Sequence, residues 1–141
     1  MARIQIDLPQ DWLFETTVQI RVCDVNYGGH LGNDTVLSLV HEARVRFLHS
    51  LGFTEADLGG AGIIMADAAI VFKAEAFMGD VLQIVVGVDE VKRSSLDMYY
   101  LLRRVSDDVE IARVKTGLVF FDYTARKVVR MPQAFAQALG V

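Results

Sequence analysis

The chain has 141 residues, 52% of them apolar and 23% charged, with a formal net charge of −4 at neutral pH. That length can bury a sizeable core without disulfides or metals, so a single domain spanning residues 1–141 is expected. The charge is spread with no block of Lys and Arg, no apolar run reaches the roughly 18 residues that cross a bilayer, and the lone Cys23 has no internal partner. Nucleic-acid binding, membrane insertion and a disulfide framework are therefore excluded, while the apolar surplus leaves surface for a partner subunit. Met1–Gln10 lacks the basic start and continuous apolar core of a secretory signal, and the expectation is a cytoplasmic protein.

Along the chain, Phe14, Thr16, Val18, Ile20 and Val22 interleave with Leu13, Thr17, Gln19 and Arg21, a period of two that predicts a half-buried strand from Leu13 to Val22. Asp24-Val25-Asn26-Tyr27-Gly28-Gly29-His30-Leu31-Gly32-Asn33 follows, with glycines that permit tight and left-handed turns among polar side chains. Val36, Leu37, Val40, Phe47, Leu48 and Leu51 then recur at helical spacing, Asn33 or Asp34 suits a cap, and Gly52 suits a left-handed stop. A helix from about Thr35 to Ser50 would be about 24 Å long at 1.5 Å per residue. Its polar positions do not share one side, so such a helix wants to be wrapped. Thr54–Leu58 reads as a further short turn ended by Gly59-Gly60.

Four β-rich runs come next, Ile63–Phe72, Val81–Val91, Leu96–Val105 and Val109–Tyr123, parted by Gly79-Asp80, Arg93-Ser94 and Asp107-Asp108, residues suited to antiparallel hairpins. A short strand at Lys127–Arg130 and a helix opened by Pro132 complete the series. One long helix against antiparallel strands is an α+β arrangement, and its sheet edges need protection, for which edge-to-edge pairing in a dimer would serve.

The order of these elements and several local motifs resemble the hotdog-fold thioesterases of the 4-hydroxybenzoyl-CoA thioesterase type, from about Glu15 to Leu139. The motifs are Arg21-Val22-Cys23-Asp24 leading into the glycine loop, Asn33, Glu42-Ala43-Arg44, Gly79-Asp80, and Asp122-Tyr123-Thr124-Ala125-Arg126-Lys127 followed by Arg130-Met131-Pro132. The resemblance implies a hotdog fold, in which a long central helix is wrapped by a five- to six-stranded antiparallel sheet. It also implies a homodimer or homotetramer with sites between subunits, and hydrolysis of acyl-CoA or acyl-carrier-protein thioesters with no metal and no cofactor. In that family an Asp-x-Asp motif is common, its second aspartate catalytic, and here Asn26 stands at that position. Asp24-x-Asn26 with a nearby His30 is similar instead to the plant acyl-carrier-protein thioesterases, where such residues form part of the site, with fewer residues before the histidine.

The candidate catalytic residues are thus Asp24, Asn26 and His30. Asp24 reads either as a base or water-orienting carboxylate or as a cap on turn N–H groups. Asn26 either holds the water or the thioester carbonyl through its amide or merely tolerates a left-handed turn. His30 either works as a base near neutral pH or is a packed, hydrogen-bonded residue. Backbone N–H groups of Gly32, Asn33, Asp34 and Thr35, at the helix start, are the candidate oxyanion site.

Glu42 reads as a carboxylate of the kind another hotdog branch uses, or as a local pair with Arg46. Cys23 beside an anion is expected to be buried and inert, and Asp67 either to face solvent or to make one buried hydrogen bond. Lys92, Arg93 and Ser94 could meet coenzyme A phosphates or form a solvated turn, and Met65 and Met78 are expected in the core or along an acyl tunnel. Two other readings stay open: a silent hotdog module that binds acyl thioesters or acts as a dimeric scaffold, and an enoyl thioester hydratase or dehydratase recruiting His30 and Glu42.

Overall fold

A computed structural model describes all residues 1–141. Its long strands are β1 (Phe14–Gln19), β2 (Gly62–Phe72), β3 (Val81–Asp89), β4 (Ser95–Arg104) and β5 (Glu110–Asp122), with a two-residue β6 (Lys127–Val128). The helices are α1 (Asn33–Ser50) and α2 (Gln133–Leu139). The sheet runs β1-β3-β4-β5-β2, every neighbour antiparallel, with β6 added to β5. This is the expected α+β hotdog architecture, a six-stranded antiparallel sheet curled about one long helix.

The period of two decides which side of the sheet meets that helix. Leu82, Ile84 and Val86 of β3, Leu96, Met98, Tyr100 and Leu102 of β4, and Ala112 and Val114 of β5 are buried in one cluster with Val36, Leu39, Val40, Ala43, Phe47 and Leu48 of α1. Burial of such side chains, at roughly 25 cal/mol per Å² of apolar surface, is the main force holding the layers together. The buried cation is Arg44, whose guanidinium donates to Glu55 Oε2 (2.8 Å) and to the Tyr100 hydroxyl (3.2 Å), which in turn lies 2.9 Å from Thr116 Oγ1. Every member of this network has a partner, so its burial leaves no orphaned polar group.

Several boundaries and burials differ from the sequence reading. β1 ends at Gln19 rather than Val22, because the Asp24 carboxylate accepts the Arg21 N–H at 2.8 Å and draws Val22–Asp24 into a single 3-10 turn. That turn leaves Cys23 exposed instead of buried at a strand end. Helix α1 starts at Asn33 with Gly32 as its cap, so neither Asn33 nor Asp34 caps it; a Cβ on Gly32 would meet Asp34 Oδ1 at 2.9 Å. Met65 and Met78 are exposed rather than core residues. Asp67 faces solvent, paired with Lys115 Nζ at 2.7 Å and accepting the Gly117 N–H at 3.0 Å.

The two sheet edges are treated differently. At β1, Arg46 of the helix reaches across to Thr16 Oγ1 (2.7 Å) and the Thr17 carbonyl (2.9 Å). At β2, a bulge between Met65 and Asp67 interrupts the register with β5, and Met65, Ala66, Asp67 and Ala68 are all exposed. The first edge is blunted by a cation and the second is left bare.

Replacing Tyr100 by Phe strands Arg44 and Thr116 without their shared partner. Urea denaturation should show a loss of about 1–3 kcal/mol, the usual result of leaving a buried polar group unpaired; an unchanged midpoint would mean the network is not holding helix to sheet.

Candidate active site

The chain between β1 and α1 is folded back on itself. Asn26 N–H donates to the His30 carbonyl (2.8 Å), Gly29 N–H to the Asn26 carbonyl (3.0 Å), and Gly32 N–H to the Asp24 carbonyl (3.0 Å), while Val25 and Leu31 form an antiparallel bridge. Gly29 takes φ +81°, the left-handed turn its missing Cβ allows. The loop is then tied to the segment after β2: Leu31 N–H reaches the Ala76 carbonyl at 2.8 Å and His30 bridges Phe77. These bonds bring Asn26 and His30 together on one side of a small hairpin, directly ahead of the helix.

Asn26, His30 and Asn33 line one hollow of about 370 Å³, together with Leu31, Val36, Phe72, Lys73, Ala74, Glu75, Ala76 and Ile111. Asn26 Oδ1 is occupied, accepting the N–H groups of Gly28 (2.9 Å) and His30 (3.3 Å), so the amide has only its NH₂ to offer the hollow. The His30 ring rests on Phe77 with centroids 5.1 Å apart, and its Nδ1 stands 3.3 Å from Glu75 Oε2. At the helix start, the Gly32 and Thr35 N–H groups are taken by the Asp24 and Gly32 carbonyls, whereas those of Asn33 and Asp34 make no bond within the chain. Of the four candidate donors, two remain available to an anion.

Asp24 lies elsewhere. It is buried, at 4% exposure, and lines a second hollow of about 380 Å³ with Arg21, Ser38, Glu42 and Arg46 rather than the one holding Asn26 and His30. Burial on its own would raise its pKa, but the Arg21 side-chain and backbone hydrogen bonds and the guanidinium charge outweigh it and hold the carboxyl below its ordinary value. Glu42 pairs with Arg46 at 2.9 Å, the ordinary helix-surface pairing. Lys92, Arg93 and Ser94 form the turn between β3 and β4, where the Arg93 carbonyl accepts Met131 N–H and the Ser94 carbonyl accepts Phe120 N–H. That turn adjoins Val119 and Ile64, at the opposite end of the strands from Phe72 and Ala112.

The family model of the thioesterase-like superfamily matches residues 20–139. The chain belongs to that superfamily. No curated protein matches the sequence. Among solved structures, the chain is similar to a 1,4-dihydroxy-2-naphthoyl-CoA thioesterase from Synechocystis, at 22% identity and TM-score 0.83, over 90% of this chain and 95% of that one. It is similar to a hypothetical protein from Aquifex aeolicus, at 20% identity and TM-score 0.82, over 90% and 99% of the two chains. A gentisyl-coenzyme A thioesterase matches at 20% identity and TM-score 0.79, over 89% and 99%. At these identities the likeness is one of fold.

The sequence reading missed Lys73 and Glu75, which line the hollow from the segment after β2, and Phe77, whose ring supports that of His30. The available signal was the break in the β-branched run after Phe72, where Lys73-Ala74-Glu75-Ala76 alternates charged and small residues.

The direction of the Asp24 shift fixes a stability dependence. A carboxyl held below its ordinary value of 3.8 contributes stability that is fully present above that pH and disappears as pH falls through the lower folded value. Urea unfolding of Asp24→Asn beside the parent protein should therefore show a deficit at pH 7 that narrows towards pH 3; a gap independent of pH would assign Asp24 no role as an ion.

Proposed function

We propose that this member of the thioesterase-like superfamily hydrolyses an acyl-CoA or acyl-carrier-protein thioester, without a metal, at the hollow between the glycine loop and the start of α1. The observation that carries the reading is that Asn26, His30 and Asn33, the first residue of α1, whose N–H makes no bond within the chain, line one cavity. Thioester hydrolysis needs these functions, a base for water and donors for the oxygen that gains charge. The Asn33 and Asp34 N–H groups, with Asn26 Nδ2, receive the oxyanion; His30 takes the proton of the attacking water. Asp24 holds the loop in place through Arg21 and the Gly32 N–H. A positioned base supplies about 10²–10⁴ and an oxyanion donor about 10²–10³, which together reach the lower range of enzymatic accelerations.

The functional unit is a homodimer joined along β2. Two β2 edges pairing antiparallel about Met65–Ala68 would bury the bare edge and set the Phe72 end of one protomer beside the Gly62 end of its partner. In a single chain the turn at Lys92–Ser94 is about 25 Å along the strands from the hollow, at roughly 3.3 Å per residue. In the paired sheet, the partner's Lys92 and Arg93 come to the same end as His30, where they can meet phosphates of a coenzyme or prosthetic arm.

A panel of acyl-CoA and acyl-carrier-protein esters, aliphatic and aryl, tests the activity: turnover is expected with at least one class, and His30→Ala should lower kcat by about 10²–10⁴. Binding without turnover across the panel would select the silent module, and water addition to an enoyl thioester would select the hydratase.

The dimer is tested separately. Ala68→Lys places like charges at the proposed twofold edge, so sedimentation should show monomer and hydrolysis should fall with it; an unaltered dimer would place the interface elsewhere.

A further inference from the structure

We infer that Glu75 is a positioning residue for His30, holding the imidazole so that Nε2 is left as the base; this rests on the thioesterase reading above. Glu75 is 45 positions further along the chain, yet its Oε2 stands 3.3 Å from His30 Nδ1. The approach is built by the backbone rather than by the side chains alone. His30 bridges Phe77, Leu31 N–H bonds the Ala76 carbonyl, and the ring leans on Phe77, so backbone and ring contacts both hold the imidazole against the 75–77 segment.

That segment is itself anchored from behind. Arg104 Nη1 donates to the Glu75 carbonyl at 3.0 Å and to Asp80 Oδ2 at 3.2 Å, and Phe77 N–H donates to the same Asp80 oxygen at 3.0 Å. Beside His30, the side chains lining the hollow include two full charges, Lys73 and Glu75. Glu75 is therefore the one anion there that can select a histidine tautomer.

A carboxylate at Nδ1 favours the form with the proton on Nδ1 and leaves the lone pair on Nε2. In the reaction, Nε2 takes a proton from water as the water oxygen bonds to the thioester carbon and the carbonyl electrons move to oxygen. Collapse of that intermediate breaks the C–S bond, and the proton passes from Nε2 to the departing thiolate. Between those steps the ring is a cation, which the Glu75 charge steadies. Pairs of this type tighten when substrate is present.

Both partners are partly open to water, 38% for the His30 side chain and 68% for Glu75. An exposed pair adds little to folding, so variants at Glu75 should fold normally and any kinetic effect can be assigned to the site. Long-range ¹⁵N–¹H correlation spectra of the intact protein report the tautomer directly, with His30 identified among the three histidines by its loss in His30→Asn. The parent should show the Nδ1–H form; Glu75→Ala should shift it towards Nε2–H and lower kcat by about 10–100-fold, the loss seen when a metal-bound histidine loses its outer carboxylate, with KM little changed. Glu75→Gln, which keeps an acceptor but not the charge, should restore the tautomer and only part of kcat.

A His30 tautomer identical in the parent and Glu75→Ala overturns the proposal, as does an unchanged kcat in a variant that turns over substrate. If the tautomer shifts but no ester is hydrolysed by the parent, the Glu75–His30 pairing stands and the thioesterase reading falls.

Discussion

The closed loop from Arg21 to Gly32 is the constraint on which the rest of the site depends. Asp24 sits at its base and is used twice over. Its carboxylate fastens the Arg21 N–H and guanidinium, and its carbonyl receives the Gly32 N–H at the foot of α1. The distance between strand end and helix start is thereby fixed, and the residues between them have room only for a tight hairpin. Asn26 and His30 pair within that hairpin through backbone bonds, so their side chains reach the hollow without depending on their own rotamers for coarse placement. A Cβ at Gly32 would press on the Asp34 and Thr35 side-chain oxygens, so a larger residue here would have to turn those side chains away.

A similar economy is visible at the two edges of the sheet. Arg46 blunts β1 while remaining paired with Glu42, so one helix residue serves both the helix surface and the strand edge. At β2 no side chain takes this part, and the exposed stretch Met65–Ala68 is built mostly of small or unbranched residues. A bare edge strand is a liability in a lone chain. The proposed dimer turns it into continuous sheet, and the same pairing supplies the basic turn that a single chain keeps at the wrong end. Edge protection and site completion are then one event.

Much of the fold was legible because it follows from period. The alternation in β3, β4 and β5 and the helical spacing of Val36, Val40 and Phe47 each report a single buried face, and the turn residues mark where strands reverse. What could not be read was decided by tertiary bonds. β1 looked longer than it is because Ile20 and Val22 continue the apolar alternation, yet the Asp24 carboxylate ends the strand. Asn33 and Asp34 have the chemistry of a cap, but the Gly32 position is already set by its bond to Asp24. Of the site, the local cluster Asn26, His30 and Asn33 was legible since it lies within one short motif. Glu75 and Lys73, and Phe77 behind the His30 ring, were not, since only the pairing of two distant segments brings them there.

The separation of Asp24 from the cavity decides how the proposed chemistry is divided. A carboxylate clasped by a guanidinium and a backbone N–H is a stable anion and therefore a weak base; using it to accept a proton would mean giving up the bonds that hold the loop closed. The imidazole of His30 carries no such structural duty, since the loop is held by the His30 backbone and not by its ring. A thioester also asks for less than an amide, because the thiolate leaves readily once the tetrahedral carbon has formed. In the proposed site, helix-start N–H groups for the oxyanion and one histidine oriented from behind by Glu75 would satisfy that demand, and the aspartate that the family often places at position 26 is not needed if the base has moved four residues along, to His30.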